Sequence, residues 1–332
     1  MCYLKNGAIL VGLVRIKKMI WKSVKHFWKL RYGQSQFRLM DINVLVYFGL
    51  VGFLLIFFHK SVEYWPIFVL VHAIIVLLVL EIIRLGEKYP QKEILWFFRT
   101  MYPIPLFLIG WEELAFISQM FFGNYWMTDL IVKWDRMIFG VDPTVWVQKL
   151  YQPWLNELMH FNYLAYYSFF LLIPFLLYFR GKRQETFAVM SILTFTYFSN
   201  FFLFYFMPTL DPLNVPMLQA QHVKEQVGYF FVPLNQFVQA EGGIPVAAFP
   251  SSHVAGALVW VLTAIRYNRK VGYALLPLAV GIGFSVVYNQ LHFALDPIFG
   301  YIWGAICFIV ALKLLKKRGE DPLSLPVKSI NS

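Results

Sequence analysis

Two histidines and one carboxylate stand out in a chain that is otherwise mostly apolar. Phe249-Pro250-Ser251-Ser252-His253 is followed about forty residues later by His292-Phe293-Ala294-Leu295-Asp296. Each group opens a hydrophobic run that follows a polar loop. A helix that begins there offers free N–H groups and the positive end of its dipole, which together favour an anion such as phosphate. Ser251 and Ser252 are good cap residues for such a start. His292 and Asp296 are four apart, so on a helix they share a face, and the carboxylate can hold the imidazole tautomer and raise its basicity. Pro297 biases Asp296 away from helical geometry, and is tolerated if the helix starts close to His292.

Two imidazoles and a carboxylate suit covalent phosphoryl transfer. One ring attacks phosphorus and the other protonates the leaving oxygen. His292 has the carboxylate partner and is the expected nucleophile. His253 is then the general acid, and afterwards the general base. Ser251, Ser252 and the backbone N–H groups beside them would cradle the phosphate oxygens. A zinc or iron site could use the same three side chains, but neither HxxxH nor HExxH occurs, so no metal and no other cofactor is expected. Either motif alone is weak, because a lone histidine near a helix end is usually structural. It is the pair, placed on one side of a membrane, that points to chemistry.

The elements that position these residues are membrane helices. Of 332 residues, 59% are hydrophobic and only 14% charged, which excludes an ordinary soluble domain. The net charge of +11 does not indicate nucleic acid, because the basic residues sit in short segments between apolar runs. Cys2 and Cys307 offer no disulfide framework. Gly7–Val14 is short, runs into Arg15 and lacks a small-residue cleavage site, so a signal peptide is not expected. Residues 1–40 are basic; Ile16, Ile20, Val24, Phe27 and Trp28 follow helical spacing among lysines, as in an amphipathic helix on an anionic membrane surface.

Eight apolar runs follow, at 43–58, 66–84, 102–122, 155–178, 186–207, 253–266, 271–289 and 297–315. The expected fold is an all-α polytopic transmembrane bundle of about eight spans, with two N-terminal spans over 41–100, a six-span core over 101–316 and a tail over 317–332. Of the 29 Lys and Arg, 24 lie in one set of alternating segments; the other set holds only Lys60, Lys133, Arg136, Lys149 and Lys224. The positive-inside rule then places both termini in the cytoplasm and the histidines at the periplasmic, luminal or extracellular face. The outer stretch Trp134–Pro143 suits an interfacial or re-entrant segment, and Gln219–Gln239 short surface helices beside the site. Glu112 and Glu113 fall halfway along the third run, where at least one must face the bundle.

Pro250-Ser251-Ser252-His253, followed by His292 and Asp296 at the mouth of a later helix, resembles the type 2 phosphatidic acid phosphatase superfamily over about residues 100–316. That resemblance implies that His253 is the acid and base and His292 the phosphorylated nucleophile. The superfamily's phosphatases carry KxxxxxxRP and SRxxxxxHxxxD; here the matching positions are Asn200, Met207-Pro208 and Ser285-Val286, so three basic clamps are missing. In this the chain is similar to the inositol phosphorylceramide synthase branch, which also has a segment like Trp134–Pro143. The resemblance implies a lipid phosphotransferase, or alternatively a lipid phosphate phosphatase, acting on a phospholipid or lipid phosphate with an alcohol or water as acceptor. Arg136 and Lys133 are candidates to replace the lost clamps. A transporter or an inactive scaffold would instead show inverted repeats or a broken His–His–Asp set.

Overall fold

The computed structural model describes residues 22, 29–33, 35–222 and 224–323. The stripe Ile16, Ile20, Val24, Phe27 and Trp28 of the amphipathic segment expected over 1–40, and most of the tail from 317 on, lie outside the described residues. The chain is helical, and among the described residues the only strand-like pairing is one antiparallel bridge between Leu210 and Val246. Its helices are α1 Leu39–Phe57, α2 Trp65–Lys88, α3 Glu93–Met101, α4 Pro103–Glu112, α5 Leu114–Ile117, α6 Thr128–Phe139, α7 Pro143–Trp146, α8 Pro153–Phe179, α9 Arg183–Phe204, α10 Pro216–Gln219, α11 Phe231–Gly242, α12 Ser252–Tyr267, α13 Arg269–Tyr288 and α14 Leu295–Lys317. Prolines open α4, α7, α8 and α10, where a missing N–H costs nothing.

Seven segments among the described residues are long and apolar enough to cross a membrane: α1, α2, Glu93–Ile117, α8, α9, α13 and α14. This is a multi-pass membrane protein. The eighth apolar run forms α12, only 16 residues long, of which eleven are buried. The third run differs most from expectation. It begins at Glu93 rather than at 102, and Tyr102 and Glu113 interrupt it into α3, α4 and α5. Pro103 removes one N–H and fixes the start of α4, so the polar first turn of the segment reads in sequence as a loop. Glu112 and Glu113 accordingly lie toward its C-terminal end, not halfway along it.

The chain divides into two compact units. The first comprises the described residues up to Phe37 with Leu77–Arg99. Within it Arg31 and Arg84 each pair with Glu81 at 2.7 Å, and the buried Arg99 donates to the Gln36 carbonyl at 3.2 Å. The second comprises Arg38–Val76 and everything from Thr100 on, and holds the whole candidate site. Its central post is α9, with 15 of 22 residues buried, packed by α1, α4, α8, α12 and α14. Glu113 is the carboxylate that faces the bundle: it meets His72 Nε2 at 2.7 Å and accepts from the Tyr47 hydroxyl at 2.9 Å. His72 Nδ1 donates to the Phe48 carbonyl, so every member of this buried group is satisfied.

Two features set the distance between the motifs. On α14, Gly300 and Gly304 form a small-residue stripe against α12. A Cβ on Gly300 would lie 2.7 Å from the Ser251 carbonyl oxygen, and one on Gly304 would lie 2.7 Å from the Ala255 carbonyl oxygen. Only glycine lets the two helix starts come this close. Beside them, Ile131 and Val132 of α6, Val215, Leu218, Phe249, Phe293 and Leu295 form one apolar cluster. The amphipathic α6 is thus the wedge that holds the residues just before His253 against those just after His292.

Candidate active site

His253 sits in the first turn of α12 and His292 just before α14; their ring centroids are 5.9 Å apart, and both side chains are buried. Ser251 caps α12, with Oγ accepting from Val254 N. The main chain also ties the motifs, since Ser251 N donates to the Asp296 carbonyl at 3.1 Å. His292 Nδ1 faces two acceptors, the Ala248 carbonyl at 2.8 Å and Asp296 Oδ2 at 3.1 Å. That nitrogen therefore carries the proton, and Nε2 is left as the lone pair. Ser251 Oγ donates to Nε2 at 3.1 Å, so the hydroxyl covers the one atom of His292 that could attack phosphorus. Burial pushes the His292 imidazole below its ordinary pKa, and the Ala248 carbonyl offsets part of that. At neutral pH the ring is a free base. Asp296 Oδ2 also accepts from Phe293 N at 2.8 Å, which locks the His–Asp turn.

His253 is held by rings rather than by a carboxylate. Tyr166, Tyr163 and Trp111 lie at 4.7, 5.3 and 5.8 Å between centroids. Its Nε2 is 3.2 Å from the Tyr163 hydroxyl, which itself accepts from Gln239 Nε2 at 2.9 Å. Its Nδ1 is buried without a hydrogen-bond partner. A buried imidazole nitrogen in that state is poised to exchange a proton with a bound oxygen.

Three cavities with shared lining residues surround this pair, and only the neck is bordered by both histidines. An apolar chamber of about 170 Å³ is walled by Phe107, Leu108, Tyr166, Tyr197 and Phe201, with Glu112, Ser252 and His253 on its edge. A neck of about 40 Å³ contains both histidines, Tyr163 and Asp211. A polar vestibule of about 670 Å³ lies beyond, lined by amide side chains that include Asn235, Gln239, Asn289 and Gln290. His253 and Trp111 border both chamber and neck; Asp211, Gln239 and Leu291 border both neck and vestibule. α11 overlaps the Gln219–Gln239 region expected to flank the site, and it supplies the vestibule wall.

The structure thus brings Ser251, Ser252, His253, His292 and Asp296 together. Arg136 and Lys133 are placed elsewhere: neither lines the chamber, the neck or the vestibule. The Arg136 guanidinium is partly exposed and makes two bonds to Asp142, at 2.6 and 2.9 Å. A phosphate contact would require that pair to open. Arg136→Ala is expected to change kcat/KM by less than about fivefold, because an exposed ion pair contributes about 0–1 kcal/mol. A loss of about 1.5–3 kcal/mol in kcat/KM would instead mean that the arginine closes over the substrate.

The same stretch contains a residue that motif spacing does not reveal. Asp135 is buried, and its two oxygens accept from Ala294 N at 2.8 Å and Leu295 N at 3.1 Å, the first donors of α14. Burial pushes this carboxyl up to about 6, and the two N–H donors pull it back only in part. It sets the helix start one residue before Asp296. Asp135→Ala leaves the N–H groups of Ala294 and Leu295 without acceptors, and the buried one, on Leu295, costs about 1–3 kcal/mol. Activity is expected to fall on the order of a hundredfold through misplacement of the His–Asp turn, with a lower melting temperature. An unchanged kcat in the variant would show that the apolar cluster alone fixes the turn.

A sequence model described as the PAP2 superfamily matches residues 129–310, more than half of the chain. The chain belongs to the PAP2 superfamily. Searches of curated proteins and of solved structures returned no match. The PAP2 match begins in α6, at the wedge, and ends within α14, so it spans Asp135, both histidines and Asp296. PAP2 membership accords with a membrane phosphatase or phosphotransferase acting on a lipid phosphate.

Proposed function

We propose that this chain is a membrane lipid phosphotransferase that passes a phosphorylated head group from one lipid alcohol to another through a phosphohistidine on His292. The observation that carries this is the placement of the His253–His292 pair in a neck that shares lining residues with an apolar chamber on one side and a polar vestibule on the other. A phosphodiester lipid with phosphorus in the neck would put its lipid alcohol in the chamber and its head group in the vestibule. His292 Nε2 attacks phosphorus once Ser251 Oγ turns away, and the bond from phosphorus to the lipid oxygen breaks. His253, at the chamber edge, protonates the leaving oxygen. An acceptor alcohol then enters the chamber, gives its proton to His253 and takes the phosphoryl group from His292. Asp296 stabilises the ring charge in both steps. Ser251, Ser252 and the first N–H groups of α12 hold the phosphoryl oxygens. This corresponds to the inositol phosphorylceramide synthase-like branch. Incubating purified protein with a panel of labelled phospholipids, with and without long-chain alcohol acceptors, tests it directly. Acceptor-dependent movement of label into a new lipid is expected; release of water-soluble phosphate alone would make the chain a lipid phosphate phosphatase, which the polar vestibule also permits.

The site is proposed to face the periplasm, lumen or exterior, with both termini in the cytoplasm. The 24-to-5 division of basic residues supports this orientation. Counting α12 with the seven longer segments gives an even number of crossings. A cysteine placed in Gln219–Gln239 is expected to react with an impermeant reagent from outside, and one at Arg180–Gln184 is not. The reverse pattern would move the site to the cytoplasmic face.

A further inference from the structure

Among the described residues, Asp211 is the one carboxylate that borders both neck and vestibule. It is fixed in place. Its side chain accepts from Asn214 N at 2.9 Å and from Asn214 Nδ2 at 2.9 and 3.0 Å, and its own N–H donates to the Pro245 carbonyl at 3.2 Å. The adjoining bridge between Leu210 and Val246 pins the backbone. These partners are neutral, so they orient the carboxylate without cancelling its charge.

Among the described residues, no lysine or arginine lines the neck or the chamber, and the vestibule lining has one lysine, Lys224, together with one further carboxylate, Glu225. Burial pushes the Asp211 carboxyl up to about 6, which leaves it ionised at pH 8. A phosphorus atom held in the neck therefore shares that cavity with the Asp211 carboxylate and with no described lysine or arginine of the neck lining. Repulsion scales with the charge brought in, so it is twice as large for a phosphomonoester dianion as for a phosphodiester monoanion.

We propose that Asp211 is a charge filter that excludes dianionic phosphate monoesters from the neck and so reserves the site for monoanionic phosphodiesters. This rests on the phosphotransferase proposal and names the charge class of its donor. Asp211 acts on binding and is not a catalytic residue.

The test measures binding, which does not depend on turnover. Purified wild type, Asp211→Asn and Asp211→Glu are titrated at pH 8 with inorganic phosphate, a dianion, and with dimethyl phosphate, a monoanion, and binding is followed by phosphorus NMR. The amide introduced by Asp211→Asn would keep an oxygen for Asn214, and melting curves verify that the fold is retained. Wild type is expected to prefer dimethyl phosphate. In Asp211→Asn the ratio of the two dissociation constants should shift toward inorganic phosphate by roughly tenfold or more, the size of one unit-charge interaction across about 10 Å at an effective dielectric near 20. Asp211→Glu, which keeps the charge, should stay within about twofold of wild type on the same scale. An unchanged ratio in Asp211→Asn, an equal shift in both variants, or no binding of either anion to any of the three proteins overturns the filter. A shifted ratio in a protein that transfers no lipid label would uphold the filter and overturn the transferase proposal instead.

Discussion

His292→Ala is expected to abolish turnover, by about 10⁵-fold or more, while the protein remains folded in the membrane. The size follows from what the side chain does. In the proposed mechanism its Nε2 takes phosphorus, while its Nδ1 is committed to Ala248 and Asp296. Glutamine or alanine cannot substitute for a nucleophile. Asp296→Asn should retain more activity, falling about 10⁴-fold as in an analogous His–Asp pair, since the asparagine can present its N–H to Nδ1 and favour the wrong tautomer. The pH profile provides a second check. Because burial lowers the His292 pKa, the acid limb of kcat/KM should fall below the range of an ordinary imidazole. Near-normal rates in His292→Ala would remove the nucleophile from the account.

The second large effect is expected at His253, and its form separates acid from base. With a lipid donor, His253→Ala should cost about 10²–10⁴-fold, the usual contribution of a positioned proton donor. A donor with an acidic leaving group, such as a nitrophenyl phosphodiester, needs no protonation to depart. With it the first step should survive in the variant, and the second should stall for want of a base. A covalent adduct on the protein is then expected to accumulate, visible by intact mass and absent in the double variant lacking His292. Equal loss on both donors, with no adduct, would mean that His253 shapes the site without moving a proton. Tyr163 and Gln239 orient the Nε2 edge of this ring, which leaves the unpartnered Nδ1 for the substrate oxygen.

The part of the site that lies within motifs was legible in the sequence, and the part built from long-range contacts was not. Ser251, His253, His292 and Asp296 are polar residues at the start of apolar runs, and the i,i+4 spacing of the last two already implies their hydrogen bond. Asp135 is 159 residues from the N–H it caps, and beside Arg136 it reads as half of a surface ion pair. Arg136 drew attention as a cation on a face with few of them, yet Asp142, six residues on, takes its guanidinium. Tyr163 and Tyr166 read as ordinary span aromatics because nothing local distinguishes a ring that packs on histidine from one that packs on leucine. The eight runs located the helices well, apart from the third, where polar residues ahead of Pro103 concealed the first turns of α3. The close approach of α14 to α12 depends on Gly300 and Gly304, whose importance appears only when the facing carbonyls are known.

The central claim is that phosphorus is transferred twice, first to His292 and then to an acceptor. The stereochemical course at phosphorus tests this most directly. A donor lipid made chiral at phosphorus by sulfur substitution is incubated with wild-type protein and an alcohol acceptor, and the configuration of the product is determined. Each in-line displacement inverts phosphorus, so two displacements through His292 predict overall retention. Overall inversion would mean that the acceptor attacks the donor directly, with the histidine pair acting only on protons, and would contradict the phosphohistidine account.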